Sequence, residues 1–116
     1  MYALPPIEIH IPQDKNFFDY DLKYGEDSRA ICPSNFTSEQ KQELERLAKL
    51  IHNGLNLDHY SRSDFIVHPT RGIYAIEVNT LPGLTEHSLL PKALSVVGST
   101  MHEFVDHIIN LARNRR

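Results

Sequence analysis

Two short runs, residues 62–68 and 73–79, constrain this chain more than anything else in it. Each has strand length and alternating side chains, and Pro69-Thr70-Arg71-Gly72 joins them, so they read as an antiparallel hairpin. Centring the link on residues 69–72 pairs His68 with Ile73, Ile66 with Ala75, Asp64 with Glu77 and Arg62 with Asn79, all on one face. The other face then carries Ser63, Phe65 and Val67 against Tyr74, Ile76 and Val78, which is the better core. A one-residue slip would mix charge and core on both faces. In this register Asp64 and Glu77 stand directly opposite each other, and like charges so placed destabilise a bare sheet. Two resolutions are open. A hard cation can offset them, since Mg²⁺ usually takes one or two carboxylates and leaves its other positions to phosphates and water. Alternatively, Asp64 pairs with Arg62 on a solvated face. Asn79, two residues from Glu77, adds an amide oxygen to the same face.

The remaining chain supplies helices to cover such a hairpin. Thr37-x-x-Gln40 is a capping box ahead of Leu44, Leu47, Ala48 and Ile51 at helical spacing, with Gly54 as a stop. Thr100-x-x-Glu103 starts a second helix whose apolar face carries Met101, Phe104, Val105, Ile108, Ile109 and Ala112. Pro91 suits the first residue of a short helix ending at Gly98. Residues 7–11 alternate as a half-exposed strand, and 14–33 read as a long loop of the kind that is functional or disordered. The order strand, loop, helix, hairpin, loop, helix, helix implies an α+β fold: an antiparallel sheet with helices packed on one face, in a single domain of 116 residues. The expected core is Leu44, Leu47, Ile51, Phe65, Val67, Ile76, Val78, Phe104, Val105 and Ile108.

Composition narrows the function classes. A net charge of −3, with no basic stripe beyond Arg113, Arg115 and Arg116, argues against nucleic acid as a partner. No apolar run is long enough to span a bilayer, and Cys32, the only cysteine, cannot form an internal disulfide. A cytoplasmic location follows as the expectation. The seven histidines form no His-x-x-x-His pair, and Cys32 has no obvious partner, so zinc is not expected.

Several ordered segments carry a family resemblance. Arg62-x-Asp64, Glu77-x-Asn79-Thr80-x-Pro82-Gly83-x-Thr85 and Ser88-Leu89-x-Pro91 resemble the closing half of the D-alanine–D-alanine ligases, members of the ATP-grasp superfamily. Upstream, Leu4-Pro5-Pro6-Ile7 resembles the start of a strand in these enzymes. Phe18-Asp19-Tyr20-Asp21-x-Lys23-Tyr24 resembles their mobile loop, which Cys32-Pro33 would close. The resemblance covers nearly the whole chain and implies a C-terminal ATP-grasp subdomain.

What the resemblance implies can be set down residue by residue. Asp64, Glu77 and Asn79 match magnesium ligands, with Glu77 bridging two ions (Mn²⁺ being an alternative metal). Arg62 matches the arginine that steadies the transferred phosphate and the tetrahedral intermediate, and the Gly83 N–H an oxyanion donor. Ser88 and Leu89 match the residues that hold the carboxylate of the second D-alanine. Lys23 matches a loop lysine reaching the phosphates of ATP, the substrate. Tyr24 matches a tyrosine over the dipeptide site and favours a D-alanine acceptor over D-lactate. Read without the family, Lys23 and Tyr24 are an exposed loop pair, Ser88 is a helix cap ahead of Pro91, and Gly83 belongs to a type II turn.

The implied function is a C-terminal part of an ATP- and Mg-dependent ligase that makes D-alanyl-D-alanine for peptidoglycan through an acyl-phosphate. The N-terminal substrate domain and the first nucleotide subdomain of the family are absent from the 116 residues. The chain alone is therefore expected to be inactive, and to form homo-oligomers through apolar surface and a bare sheet edge. Two alternatives stand beside this reading: a non-catalytic metal-binding, anion-binding or self-associating module, and an ATP-grasp ligase joining another carboxylate and amine.

Overall fold

The computed structural model describes residues 1–10 and 30–115. Lys23, Tyr24 and the 14–29 part of the expected loop lie outside the described residues. Among these, the fold is α+β, with two two-stranded antiparallel sheets and three helices. Strands β1 (Glu8–Ile9) and β2 (Ala30–Ile31) pair through Glu8 with Ile31 and Ile9 with Ala30. The end of the stretch read as loop thus includes a strand. Asn35 N–H donates to Glu8 Oε2 at 2.9 Å, fixing the chain that leaves β2.

Helix α1 (Ser38–Gly54) begins at the expected capping box, with Thr37 Oγ1 accepting from Gln40 N–H and Gln40 Oε1 from Thr37 N–H. Helix α3 (Met101–Arg113) begins with the equivalent box from Thr100 and Glu103. Helix α2 (Leu89–Val96) starts two residues earlier than the proline suggested. Pro91 is its third residue, still within the first turn, where a missing N–H costs no helical hydrogen bond. The helix ends in a Schellman arrangement: Gly98 adopts φ +77°, its N–H donates to Ser95 O, and Ser99 N–H donates to Leu94 O.

The hairpin comprises β3 (Arg62–His68) and β4 (Gly72–Asn79). At the open end the register is as expected: Arg62 opposes Asn79, Ser63 Val78, and Asp64 Glu77. At the turn it differs by one. His68 opposes Gly72, which leaves a three-residue loop, and Gly72 takes φ +94°. His68 Nδ1 accepts the N–H groups of Thr70 and Arg71 and closes that loop. A bulge then restores the register. Phe65 opposes Ala75 while Asp64 opposes Glu77, so Ile76 is the extra residue. The consequence is a change of face. Tyr74 opposes Ile66 and shares its face with Asp64, whereas Ile73 and Ala75 lie opposite Val67 and Phe65.

The bulge corrects the expected core. Ile76 is 60% exposed, not buried, and Val105 on α3 is also exposed. The most deeply buried apolar side chains are Leu44 of α1 and Ala93 and Leu94 of α2. Phe65, Val67, Val78, Leu47, Ile51, Phe104 and Ile108 are half-buried. Two contacts near the start of β3 help to seat the helices. His52 Nδ1 of α1 lies 2.7 Å from Ser61 Oγ, and the Phe104 ring of α3 meets Tyr60 edge-on at 5.3 Å between centroids.

One buried polar atom stands out. Ser34 is only 4% exposed, and its hydroxyl has no hydrogen-bond partner among the described residues. An unsatisfied buried hydroxyl costs about 1–3 kcal/mol of desolvation. Ser34→Ala should therefore raise stability by about 1 kcal/mol, read as a higher urea midpoint at unchanged slope; a lower midpoint would mean that the hydroxyl is satisfied.

Candidate functional site

The hairpin's open end gathers the polar groups. Asp64 and Glu77 face each other across β3 and β4, and Arg62 faces Asn79 one pair further on. Arg62 forks onto Asp64, with Nε 2.8 Å from Oδ1 and Nη2 3.1 Å from Oδ2. Residues two apart on a strand share a face, so the bidentate pair is a direct result of Arg-x-Asp spacing. Of the two resolutions left open by the sequence, the guanidinium pairing is therefore formed in this structure. It does not consume the carboxylate set, since each carboxylate oxygen can accept more than one partner. Asn79 Oδ1 accepts Leu81 N–H at 2.9 Å, which fixes its amide and starts the loop beyond β4. Two carboxylates and an amide oxygen on one face form an all-oxygen donor set, which suits Mg²⁺ or Mn²⁺. Among the described residues, no group of three His, Cys, Asp or Glu side chains is placed to hold a metal ion.

The loop after β4 builds a recess beside this face. Pro82 is buried and anchors it. Arg62, Gly83, Thr85, His87, Ser88 and Leu89 are among the residues that line the recess. Arg62 thus belongs both to the carboxylate cluster and to the recess wall. His87, which the sequence placed next to the Ser-Leu step, is exposed at the rim.

Ser88 occupies the N-cap position of α2, yet its side chain makes no cap hydrogen bond. An N-cap serine normally accepts from the second or third helical N–H. Here the third residue is Pro91, which has no N–H to give. The hydroxyl turns instead to Thr85: Thr85 Oγ1 and Ser88 Oγ lie 2.6 Å apart, and Ser88 N–H donates to Thr85 O at 2.9 Å. The cap reading of Ser88 is therefore not what the side chain does. Thr85 received no role from the sequence. The signal available was its place three residues before Ser88, where one turn brings two hydroxyls together.

Gly83 lacks the positive φ that the type II turn reading requires, and its reason here is steric. A Cβ there would sit 2.8 Å from Ser88 Oγ, closer than real contacts allow. Cys32, by contrast, is no candidate nucleophile. Burial pushes its thiol up against the weaker pull of Lys92 and Lys41.

Of the sequence-derived site residues, the structure brings together Arg62, Asp64, Glu77 and Asn79 on one face, and Arg62, Gly83, Ser88 and Leu89 around one recess. Gly83→Ala should leave the fold intact, within about 1 kcal/mol by denaturation, because a serine side chain can rotate away. It should nonetheless move the amide resonances of Thr85 and Ser88. Unchanged resonances there would contradict the close approach.

Residues 2–110 match the family model described as D-ala D-ala ligase C-terminus. A D-alanine–D-alanine ligase of Oleidesulfovibrio alaskensis is 40% identical over 110 residues, covering 94% of this chain and 35% of the relative. That of Vesicomyosocius okutanii is 36% identical over 109 residues, covering 93% of this chain and 36% of the relative. The crystal structure of D-alanyl-alanine synthetase A from Vibrio cholerae superposes with a TM-score of 0.74 at 31% identity, over 94% of this chain and 32% of that one. The chain spans a little over a third of the length of the curated relatives it matches.

Proposed function

The chain belongs to the D-alanine–D-alanine ligase C-terminus family, and from that premise we propose that it forms the metal- and acceptor-binding part of an ATP-dependent D-alanine–D-alanine ligase. The observation that carries the reading is the double placement of Arg62, forked onto Asp64 and lining the recess of Gly83 and Ser88. One guanidinium then adjoins both the place where phosphate charge develops and the place where the acceptor sits.

In this reading Asp64, Glu77 and Asn79 would hold two Mg²⁺ ions, with Mn²⁺ a substitute. When bound, the metal neutralises phosphate charge and lowers the barrier to phosphoryl transfer from ATP. Arg62 donates to the transferred phosphoryl group, and afterwards to the tetrahedral centre formed when the amine of the second D-alanine attacks the acyl-phosphate of the first. The Gly83 N–H donates to the oxyanion of that centre, and a preorganised donor of this kind costs no reorganisation during the reaction. Ser88 Oγ–H and the Leu89 N–H hold the acceptor carboxylate at the start of α2, an end that favours anions. Lys23 and Tyr24, outside the described residues, complete the set as phosphate and dipeptide contacts. Phosphate leaves as the amide bond forms and takes up the proton that the amine loses.

No helix among the described residues is long and apolar enough to cross a membrane. A cytoplasmic setting, where ATP is available and Cys32 stays reduced, fits the activity. Ile66, Ile76 and Leu81, 54%, 60% and 77% exposed, favour self-association of the isolated chain.

Two tests follow. The isolated chain should release no ADP above background from ATP, Mg²⁺ and D-alanine. Orientation of reactants is worth roughly 7–11 kcal/mol of a barrier, and a part of the cleft cannot supply it. A hybrid in which residues 2–110 replace the matching segment of the Vibrio cholerae synthetase should form D-alanyl-D-alanine. In that hybrid Glu77→Gln should lower kcat by at least about 100-fold (roughly 2.7 kcal/mol), because a neutral amide offsets cation charge poorly. Asn79→Asp, which keeps an oxygen donor, should be milder. Near-normal turnover of Glu77→Gln at saturating Mg²⁺ would remove Glu77 from the ligand set.

A further inference from the structure

A serine hydroxyl carries one proton, and the geometry around Ser88 restricts where that proton can go. Ser88 Oγ has Thr85 Oγ1 at 2.6 Å and makes no hydrogen bond to the helix it precedes. Within that pair either hydroxyl can donate. If Ser88 gives its proton to Thr85, it presents only lone pairs to the recess and would repel a carboxylate. If Thr85 gives its proton to Ser88, the Ser88 proton is free to point into the recess. An anion in the recess therefore selects the second arrangement. Thr85 is tied in place for this by its own carbonyl, which accepts the Ser88 N–H at 2.9 Å. Gly83 completes the device from the other side, since any Cβ would reach within 2.8 Å of Ser88 Oγ and force it from Thr85.

We propose that Thr85 is a positioning residue for acceptor binding: its hydroxyl donates to Ser88 Oγ and so directs the single Ser88 proton to the carboxylate of the incoming amino acid. Thr85 need not touch substrate. Its contribution is to exclude the rotamer and proton arrangement in which Ser88 faces the carboxylate with lone pairs. Pro91 supports the same outcome by removing one of the two helical N–H groups that could compete for the serine oxygen. The inference rests on the proposed role of Ser88 as an acceptor contact.

The experiment uses the active hybrid described above, with initial rates fitted for both D-alanine sites. Thr85→Val keeps the shape and removes the donor. It should raise the acceptor KM roughly tenfold, the equivalent of one hydrogen bond, with kcat at saturating acceptor and the KM for ATP and for the first D-alanine within about twofold. Thr85→Ser, which restores the hydroxyl, should return the acceptor KM to the parent value. A loosened loop would instead disturb Gly83 and Arg62 and lower kcat in both variants, which would overturn the positioning role. An unchanged acceptor KM in Thr85→Val would overturn it equally. If the parent hybrid is folded by circular dichroism yet forms no dipeptide, the functional reading itself fails. If the parent is active but Ser88→Ala leaves the acceptor KM unchanged, the role of Ser88 fails and that of Thr85 with it.

Discussion

Two carboxylates held opposite each other across an antiparallel pair repel, and a group of opposite sign within reach offsets that cost. Arg62 does so from two residues earlier on the same strand, with two hydrogen bonds to Asp64 at 2.8 and 3.1 Å. Much of the site follows from this placement. Because side chains on a strand alternate, one guanidinium can serve Asp64 only from the face that also carries Glu77 and Asn79. That same position opens onto the loop after β4, where Gly83 and Ser88 lie. A bidentate pair at about one-quarter side-chain exposure is worth more than a surface ion pair, though solvent still screens it.

The sequence was most legible where chemistry and periodicity agreed. Both capping boxes are formed, because a Thr-x-x-Gln or Thr-x-x-Glu pattern satisfies orphan donors locally and needs no tertiary context. The pairing of Asp64 with Glu77 was legible for a similar reason, since only that register collects the polar residues on one face. The bulge was not. Gly72 allows a three-residue loop that His68 closes with its ring nitrogen, and this displaces the register by one before Ile76 takes up the difference. Alternation alone cannot show an inserted residue, because the side chains on both sides of it still alternate. Ile76 therefore read as core and is exposed, while Tyr74 joins the carboxylate face.

The region around Ser88 shows the complementary limit. Residue type and the following Pro91 read equally well as a helix cap, and the helix does begin there. Only the direction of the hydroxyl separates a cap from a recess group, and direction depends on Thr85 and Gly83 together. Proline removes one helical N–H donor, glycine leaves space, and threonine supplies the hydrogen bond. Each residue is ordinary in a loop, and the combination is specific only in three dimensions.

The position of α2 links these local devices to the rest of the chain. Lys92, on the helix that Ser88 precedes, donates from Nζ to Ala30 O at 3.1 Å, across 62 residues of sequence. Ala30 opens β2, and its pairing with Ile9 brings the two ends of the 11–29 segment together at one place. The pair of Ile9 and Ala30 therefore lies beside the helix that begins at the recess. A lysine ammonium donating to a backbone carbonyl is a charge-assisted bond, stronger than a neutral one, and it is partly buried here. The hairpin fixes the carboxylates, and α2 fixes the recess. The Lys92 contact ties the helix that begins at the recess to β2.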